Sequence, residues 1–415
     1  MIASQIFAVV GLGRNGLPVA QRLAALGAQV TVWDDNAALR DSAGLPVHDP
    51  ADGYAGYDAL VLSPGIPHLL PAPHPAAAAA RAAGVPILSD AELLFRAVRE
   101  GGSRARFVGI TGTNGKSTTT ALLAHILTMA GVPNAAGGNL GTAALALPFL
   151  GDDGVYVLEM SSYMLERLAT LRFDVAVLLN LSPDHLDRHG DMAGYIAAKH
   201  RIFDHDAPVR IVGADDPWSA AIAAELASIV ICAAPPTGAA ALPGAHNAQN
   251  AAAATAAARA LGVDDATITA AIASFAGLPH RQQRIAVQDG VAYINDSKAT
   301  NADSTARALL CHDRVVWIAG GQAKAGGIDS LRPLLPRVAH AVLIGQDAPL
   351  LATTLAAAGV PYTQAGTLEH AVPAARRLAH ALHAPAVLLS PACASFDQFT
   401  GFEARGDRFA QLVLA

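Results

Sequence analysis

Lys116 and Ser117 close the stretch Gly109-Ile110-Thr111-Gly112-Thr113-Asn114-Gly115-Lys116-Ser117-Thr118, between the apolar lead-in Arg106-Phe107-Val108 and the helical run Thr119 to Met129. An ammonium and a hydroxyl in that setting suit phosphate chemistry. The order strand, glycine-rich turn, helix N-terminus offers first-turn N–H groups without intrahelical partners, a dipole that adds partial positive charge, and glycines that let the backbone curl round an anion. Lys116 would reach the β- and γ-phosphates of ATP and Ser117 would turn its hydroxyl to Mg²⁺, with Gly112, Thr113, Asn114, Gly115 and Thr118 completing the loop. The glycines fall at 109, 112 and 115, whereas the strict pattern G-x-x-x-x-G-K-[ST] requires one at Ile110, so this is a variant P-loop. A Gly/Thr-rich βα turn with an accidental lysine is the plain alternative.

A second glycine turn lies near the N-terminus. Ile6-Phe7-Ala8-Val9-Val10 leads into Gly11-Leu12-Gly13-Arg14-Asn15-Gly16, an Ala/Leu helix to about Gly27, and a strand Val30-Thr31-Val32-Trp33 ending at Asp34. By itself this Rossmann-type opening, with an acid about 20 residues on, favours a dinucleotide oxidoreductase. Further along, the strand Val155-Tyr156-Val157-Leu158 delivers Glu159 to its end, where a carboxylate beside a nucleotide loop can hold Mg²⁺, a hard cation that takes oxygen ligands and keeps several waters. Asn247 and Asn250 are three apart at the head of an alanine-rich helix and hence share a face. The loop Leu181-Ser182-Pro183-Asp184-His185-Leu186-Asp187-Arg188-His189 is polar, and Lys199, within Tyr195 to Ile202, reads as an exposed helix residue.

Gly-Thr-Asn-Gly-Lys-Ser-Thr resembles the loop of the Mur ligase family, and the resemblance runs through the chain in order. It implies an N-terminal turn facing the pyrophosphate of a uridine-linked substrate, with Gly13, Asn15, Asp34, Asp35, Ser63, Gly65, Asn139 and His185 as the residues that bind it. It also implies a metal site of Ser117, Glu159, His185 and a carboxylated Lys199 for two Mg²⁺ ions. Lys116, Glu159, His185 and Lys199 would be catalytic. Asn247 and Asn250 would read the adenine edge, and Arg281 and Asp296 would complete the ATP site. Asp296-Ser297-Lys298-Ala299-Thr300-Asn301 and Ser390-Pro391-Ala392-Cys393-Ala394-Ser395 resemble the D-glutamate-adding members, which implies UDP-N-acetylmuramoyl-L-alanine and D-glutamate as substrates. Lys298, Thr300, Lys324, Ser395 and Phe402 would bind D-glutamate. Two positions depart from the family pattern: Asn36 stands where arginine is frequent, and Met164 where glutamine commonly follows Ser-Ser-Phe/Tyr. A folylpolyglutamate synthase would share the P-loop but start with the ATPase domain, a dehydrogenase leaves the P-loop without a task, and a non-catalytic scaffold leaves the metal ligands without one.

The elements that must position these residues form an α/β chain. At 415 residues, and roughly 150 residues per domain, two or three cores are expected; the resemblance implies three domains, residues 1–89 for the UDP-substrate, 90–278 for ATP and 279–415 for the amino acid. The outer two are expected to be Rossmann-like, and the central P-loop ATPase domain to carry a mainly parallel sheet. Strands are predicted at 59–62, 85–88, 174–180, 292–294, 315–319, 341–344 and 386–389. A helix is expected over Ala91 to Arg99 after the cap-like Ser89-Asp90, and Gly137 to Gly141 reads as a loop. With 28 basic and 34 acidic residues, a net charge of −6 and no long single-sign runs, nucleic acid and anionic membrane are not expected partners. Much of the hydrophobic 52% is alanine, and the run Ala221 to Cys232 is interrupted by Glu225 and stopped by Pro235-Pro236, so no apolar stretch reaches membrane-spanning length. No signal-like n-region precedes the first strand, and three widely spaced cysteines support neither a disulfide framework nor a zinc site. A cytoplasmic monomer is the expectation.

Overall fold

The computed structural model describes residues 1–232, 239, 241–324 and 326–415; the Pro235-Pro236 stop and Ala325 lie outside the described residues. The protein is α/β, with three main sheets. It divides into two compact units, residues 1–237 with 247–274, and residues 238–246 with 275–415.

In the first unit, β1 (Ile6–Val10), β2 (Gln29–Trp33), β3 (Ala59–Leu62) and β4 (Ile87–Leu88) form a parallel sheet in the order β2-β1-β3-β4. β3 is buried along its whole length. Parallel strands covered on both faces have no polar side to alternate with, so they appear in sequence as unbroken apolar runs. β4 starts two residues later than predicted, because the Val85 N–H closes the end of the helix Pro75–Ala82 by donating to Ala80 O at 2.8 Å.

The second sheet of this unit holds β5 (Arg106–Thr111), β6 (Asn134–Gly138), β7 (Val155–Glu159), β8 (Val175–Leu178), β9 (Val209–Gly213) and β10 (Ile229–Ile231). Its order is β10-β9-β8-β5-β7-β6 and all pairs are parallel. The chain leaves β5 toward one edge and returns to its other side through β8, so the carboxyl end of β5 is a switch point of the kind that collects ligands. The register sets Ile110 opposite Glu159 and Thr111 opposite Leu178. Gly137 and Gly138, predicted as loop, belong to β6: a Cβ on Gly138 would stand 2.6 Å from Glu159 O, so glycine here permits strand packing. The predicted strand 174–180 shortens to β8, since Asp174 turns its carboxylate back to accept from Phe107 N at 2.8 Å. The helix Lys116–Met129 begins at the lysine itself, earlier than Thr119, because Gly115 makes the turn in one residue at φ 86°.

The second unit carries β11 (Gln283–Gln288), β12 (Val291–Asn295), β13 (Val315–Gly320), β14 (Gln322–Ala323), β15 (Val338–Ile344), β16 (Tyr362–Gly366), β17 (Ala386–Leu389) and β18 (Cys393–Ala394). The main sheet runs β11-β12-β17-β13-β15-β16 with only the β11–β12 pair antiparallel, and β14 pairs with β18. Trp317 is fully buried in its core, its indole N–H satisfied by Ser390 O at 2.7 Å. Among the described residues no helix is long and apolar enough to cross a membrane.

Candidate active site

Three strand ends build the loop from Gly112 to Thr118, the candidate phosphate site. The Thr111 hydroxyl donates to Met160 O (2.8 Å) beyond β7, and Leu179 N beyond β8 donates to Thr111 O (3.0 Å). Thr113 N then donates to Asn180 O at 2.8 Å and Asn114 N to the Asn180 side-chain oxygen at 2.9 Å, so the asparagine ending the β8 segment templates the turn. The Thr113 hydroxyl lies 3.1 Å from that of Tyr195. Lys116 donates its ammonium to Gly112 O (2.8 Å) and Thr113 O (2.9 Å). Ser117 and Thr118 are buried in the first helical turn.

The three glycines of the motif do different things. Gly109 lies inside β5, where a Cβ would stand 2.8 Å from the Phe173 ring; it is a packing glycine, not part of the anion cradle. Gly112 and Gly115 do take conformations closed to most residues, φ 147° and 86°. A Cβ on Gly115 would overlap Asn250 Oδ1. Asn247 and Asn250 are buried side by side on the helix Ala245–Ala260, with Asn250 Nδ2 donating to Asn247 Oδ1 at 3.1 Å. Asn250 therefore also backs the loop, a contact that the spacing of the two asparagines does not reveal.

Glu159 is 2% exposed. One carboxylate oxygen accepts from Asn139 Nδ2 at 2.7 Å, while the other, Oε2, is buried with no hydrogen-bond partner among the described residues. A buried carboxylate oxygen without a donor is costly unless something cationic meets it. Lys199 is no exposed helix residue: it is 2% exposed on the helix Met192–His200, donating to Thr111 Oγ1 (3.2 Å) and Gly112 O (2.9 Å). Burial and then the nearby Lys116 charge hold its amine well below the usual lysine range, against the opposing pull of Asp184 and Glu159. His185 takes a left-handed backbone (φ 53°), with Nε2 3.4 Å from Asp184 Oδ2 and its ring 5.1 Å from that of Tyr163. Burial lowers its pKa; Asp184 raises it, and Lys116 and Lys199 lower it further. His189, which a polar loop suggests is solvated, is buried instead, with Nε2 2.9 Å from Ser162 Oγ and Nδ1 3.2 Å from Glu166.

The N-terminal glycine turn opens on a cavity of about 440 Å³ lined by Gly13, Asn15, Asp34, Asp35, Ser63, Gly65 and Asn139, together with Arg14 and His74; His185 is not in its lining. Asp34 spends both oxygens on backbone, accepting from Leu12 N (2.6 Å) and Asn36 N (2.9 Å), so it pins the turn as well as facing the cavity. Ser63 Oγ donates to Gly11 O at 2.7 Å. Asp35 meets His74 Nε2 at 3.2 Å. The two departures have local reasons: Asn36 caps the helix Ala37–Ser42, accepting from Ala38 N at 3.0 Å, and Met164 is packed in the core.

In the second unit, Lys298 lies over the Phe402 ring at 5.3 Å from its centroid, and Thr300 N donates to Lys298 O at 2.9 Å. Ser395 is buried just after β18, and Lys324 follows β14, so the β14–β18 pairing sets their two loops side by side. Asp296 is pushed up to about 6 by burial, which outweighs donation from Ser390 Oγ (2.8 Å) and Gln282 N (3.0 Å) and the nearby Arg281 charge. Arg405, 1% exposed, went unnoticed in the sequence: it donates to Ser297 O (2.8 Å), Ser297 Oγ (3.0 Å) and Cys393 O (3.1 Å), tying the candidate D-glutamate loops together. Only its place inside an amphipathic terminal helix could have hinted at it.

A family profile described as "Mur ligase middle domain" matches residues 110–233. The UDP-N-acetylmuramoylalanine–D-glutamate ligase of Paramagnetospirillum magneticum is 50% identical over 442 aligned positions, covering 98% of this chain and 96% of the relative. That of Rhodospirillum rubrum is 48% identical, covering 99% and 94%. Among solved structures, the Thermotoga maritima UDP-N-acetylmuramate–alanine ligase superposes with a TM-score of 0.63 at 18% identity over 99% of both chains, a likeness of fold.

Proposed function

The chain belongs to the Mur ligase family, among its UDP-N-acetylmuramoylalanine–D-glutamate ligases, and from that premise we propose how its residues carry the reaction. The enzyme is an ATP-dependent ligase of peptidoglycan precursor synthesis. It joins the alanyl carboxylate of UDP-N-acetylmuramoyl-L-alanine to the amine of D-glutamate. The alanyl carboxylate attacks the γ-phosphorus of ATP, the bond to the β-phosphate oxygen breaks, and ADP leaves. The D-glutamate amine then attacks the acyl phosphate carbonyl, loses a proton and expels phosphate.

The observation that carries the assignment is the convergence of Lys116 and Lys199 on Gly112 O, with the buried Glu159 carboxylate at the adjacent strand end. Lys116, released from the Gly112 and Thr113 carbonyls, would donate to the transferring phosphoryl, while the loop from Gly112 to Thr118 orients the phosphates. Asn247 and Asn250 are assigned to adenine, and Arg281 and Asp296 to ATP as well. Ser117, the orphaned Glu159 Oε2, His185 and Lys199 fit a hard-cation site that keeps waters; among the described residues no three His, Cys, Asp or Glu are grouped for a metal, so Lys199 would have to become an oxygen donor. Its depressed basicity supports this: the neutral amine can attack CO₂, forming an N–C bond and losing a proton to leave a carbamate anion. Mg²⁺, when bound, supplies the positive charge that offsets repulsion between γ-phosphate and attacking carboxylate.

The cavity at Gly13, Asn15 and Ser63 is assigned to the uridine diphosphate moiety, His185 to the substrate nearer the reacting centre, and Lys298, Thr300, Lys324, Ser395 and Phe402 to D-glutamate, whose carboxylates call for cationic or hydroxyl donors. Three domains, 1–89, 90–278 and 279–415, are proposed, each holding one of the three main sheets. Cys232, Cys311 and Cys393 are free thiols, which supports a cytoplasmic setting, and a monomer is proposed. The test is ADP release from ATP with UDP-N-acetylmuramoyl-L-alanine, comparing D-glutamate, L-glutamate and other amino acids. Turnover with D-glutamate alone is expected; ADP release independent of the uridine-linked substrate, or tight NADH binding at Gly11–Gly16, would overturn the proposal.

A further inference from the structure

Two arginines with no role so far hold one wall of the 440 Å³ cavity. Arg167, 2% exposed, donates through Nη1 to Leu62 O (2.9 Å) and Ser63 O (3.3 Å) and through Nη2 to Ile66 O (2.6 Å). Arg188 donates through Nη1 to Gly65 O (2.9 Å) and through Nη2 to Ile66 O (3.2 Å). The segment they hold supplies Ser63, Pro64, Gly65 and Ile66 to the cavity lining. Neither arginine belongs to the N-terminal sheet. Arg167 follows the short helix Ser162–Leu165 after β7, and Arg188 sits in the helix Leu186–His189, three residues past His185.

That helix is fixed on its other side too. His189 is anchored to Ser162 and Glu166, and the Arg188 guanidinium lies 4.3 Å over the Tyr163 ring, which itself borders His185 at 5.1 Å. One support therefore carries both the cavity wall and His185. A guanidinium suits the task because its planar fork can serve two neighbouring carbonyls at once, which a lysine ammonium on a flexible stem does less well. Burial, partly offset by Glu166 but reinforced by Arg188, presses Arg167 down to about 10, so it remains cationic at neutral pH. Moving the 62–66 segment away would strand that buried charge without acceptors.

We propose that Arg167 and Arg188 are positioning residues for the uridine-linked substrate: they set the 63–66 wall of its cavity and fix that wall to the helix that follows His185. This rests on the assignment of the cavity made above. Removing their grip should weaken binding of the uridine-linked substrate and leave ATP, held by the β5 loop, nearly untouched.

The test uses the full chain and calorimetric titration with UDP-N-acetylmuramoyl-L-alanine in the absence of ATP, beside titration with ATP alone. Arg188→Met, losing two charge-assisted hydrogen bonds, should raise the Kd for the uridine-linked substrate about tenfold or more. The ATP Kd should stay within about twofold, and Arg188→Lys should recover part of the loss. Arg167→Lys, checked by thermal unfolding, replaces Arg167→Met should the latter not fold, and should show the same one-sided effect. An unchanged substrate Kd in Arg188→Met, or equal weakening of both ligands, overturns the positioning role while leaving the cavity assignment standing. Failure of the wild-type chain to bind the uridine-linked substrate overturns the cavity assignment and this role with it.

Discussion

Lys116 and Lys199 donate to the same acceptor, the carbonyl oxygen of Gly112, at 2.8 and 2.9 Å. Burial first, and then the Lys116 charge so close by, depress the basicity of Lys199. Lys199→Ala and Lys199→Arg should each lose nearly all ligase activity, because neither can form the carbamate, and a small carboxylate added to Lys199→Ala should restore part of it. ¹³C NMR with labelled bicarbonate should show a carbamate signal in the wild type that Lys199→Arg lacks. A fully active arginine variant would end this assignment.

Lys116→Ala should abolish ATP turnover yet leave the Kd for the uridine-linked substrate within about twofold, since the two ligands are assigned to separate βα turns of one unit. Parallel loss of both affinities would contradict the assignment of the two turns.

Gly115→Ala should cripple the phosphate loop for two reasons. Its φ of 86° costs a residue with a Cβ about 1–2 kcal/mol, and the added carbon would overlap Asn250 Oδ1. The ATP KM should rise at least tenfold. Gly115→Ala combined with Asn250→Ala relieves the overlap but not the strained φ, so the pair should be more thermostable than the sum of the single losses predicts. Strict additivity in thermal unfolding would count against the contact.

Lys298→Ala and Lys324→Ala should each weaken D-glutamate use by about 1.5–3 kcal/mol, the range for a hydrogen bond to a charged group, or roughly ten- to a hundredfold in kcat/KM. Steady-state kinetics at saturating ATP would reveal it; unchanged glutamate kinetics in either variant would remove that lysine from the site.

Asp296 gives a pH signature. Burial raises its folded pKa to about 6, above the unfolded value near 3.8, so between those values the folded state binds more protons than the unfolded one. Its contribution to stability is therefore fully present below pH 3.8 and lost as pH rises through 6. Asp296→Asn, which cannot ionise, should gain stability relative to wild type as pH rises from 4 to 7, by denaturant unfolding at stepped pH. A flat difference would mean that Asp296 titrates normally.

Much of the candidate site is legible in the sequence. Lys116, Ser117 and Glu159 were legible because local chemistry nominates them: a glycine turn between strand and helix, and an acid at a strand end, are set by neighbours in sequence. The parallel strands were visible for the same reason, since burial on both faces leaves runs such as Ala59–Leu62 or Val155–Leu158 without polar interruption. The edge strand β16 was not: it is largely exposed along Tyr362–Gly366, so its residues carry little hydrophobic signal.

What the tertiary structure alone decided are the roles that depend on residues far apart in sequence. Gly109 looked like a loop glycine until Phe173 was seen against it, and Gly138 like a turn until its partner Glu159 was in place. Lys199 reads as a solvated helix residue because nothing within a few positions shows that its amine ends on Gly112, and only the family resemblance nominated it from sequence. Arg167, Arg188 and Arg405 look like ordinary surface cations in one dimension; their carbonyl acceptors lie scores of residues away, except Cys393 and Ala394, 12 and 11 residues before Arg405. Sequence determines which groups are available and which short segments they ride on. Which buried charge meets which acceptor is fixed only when sheet order brings distant strand ends together, because hydrogen bonds act over about 3 Å and carry no memory of sequence distance.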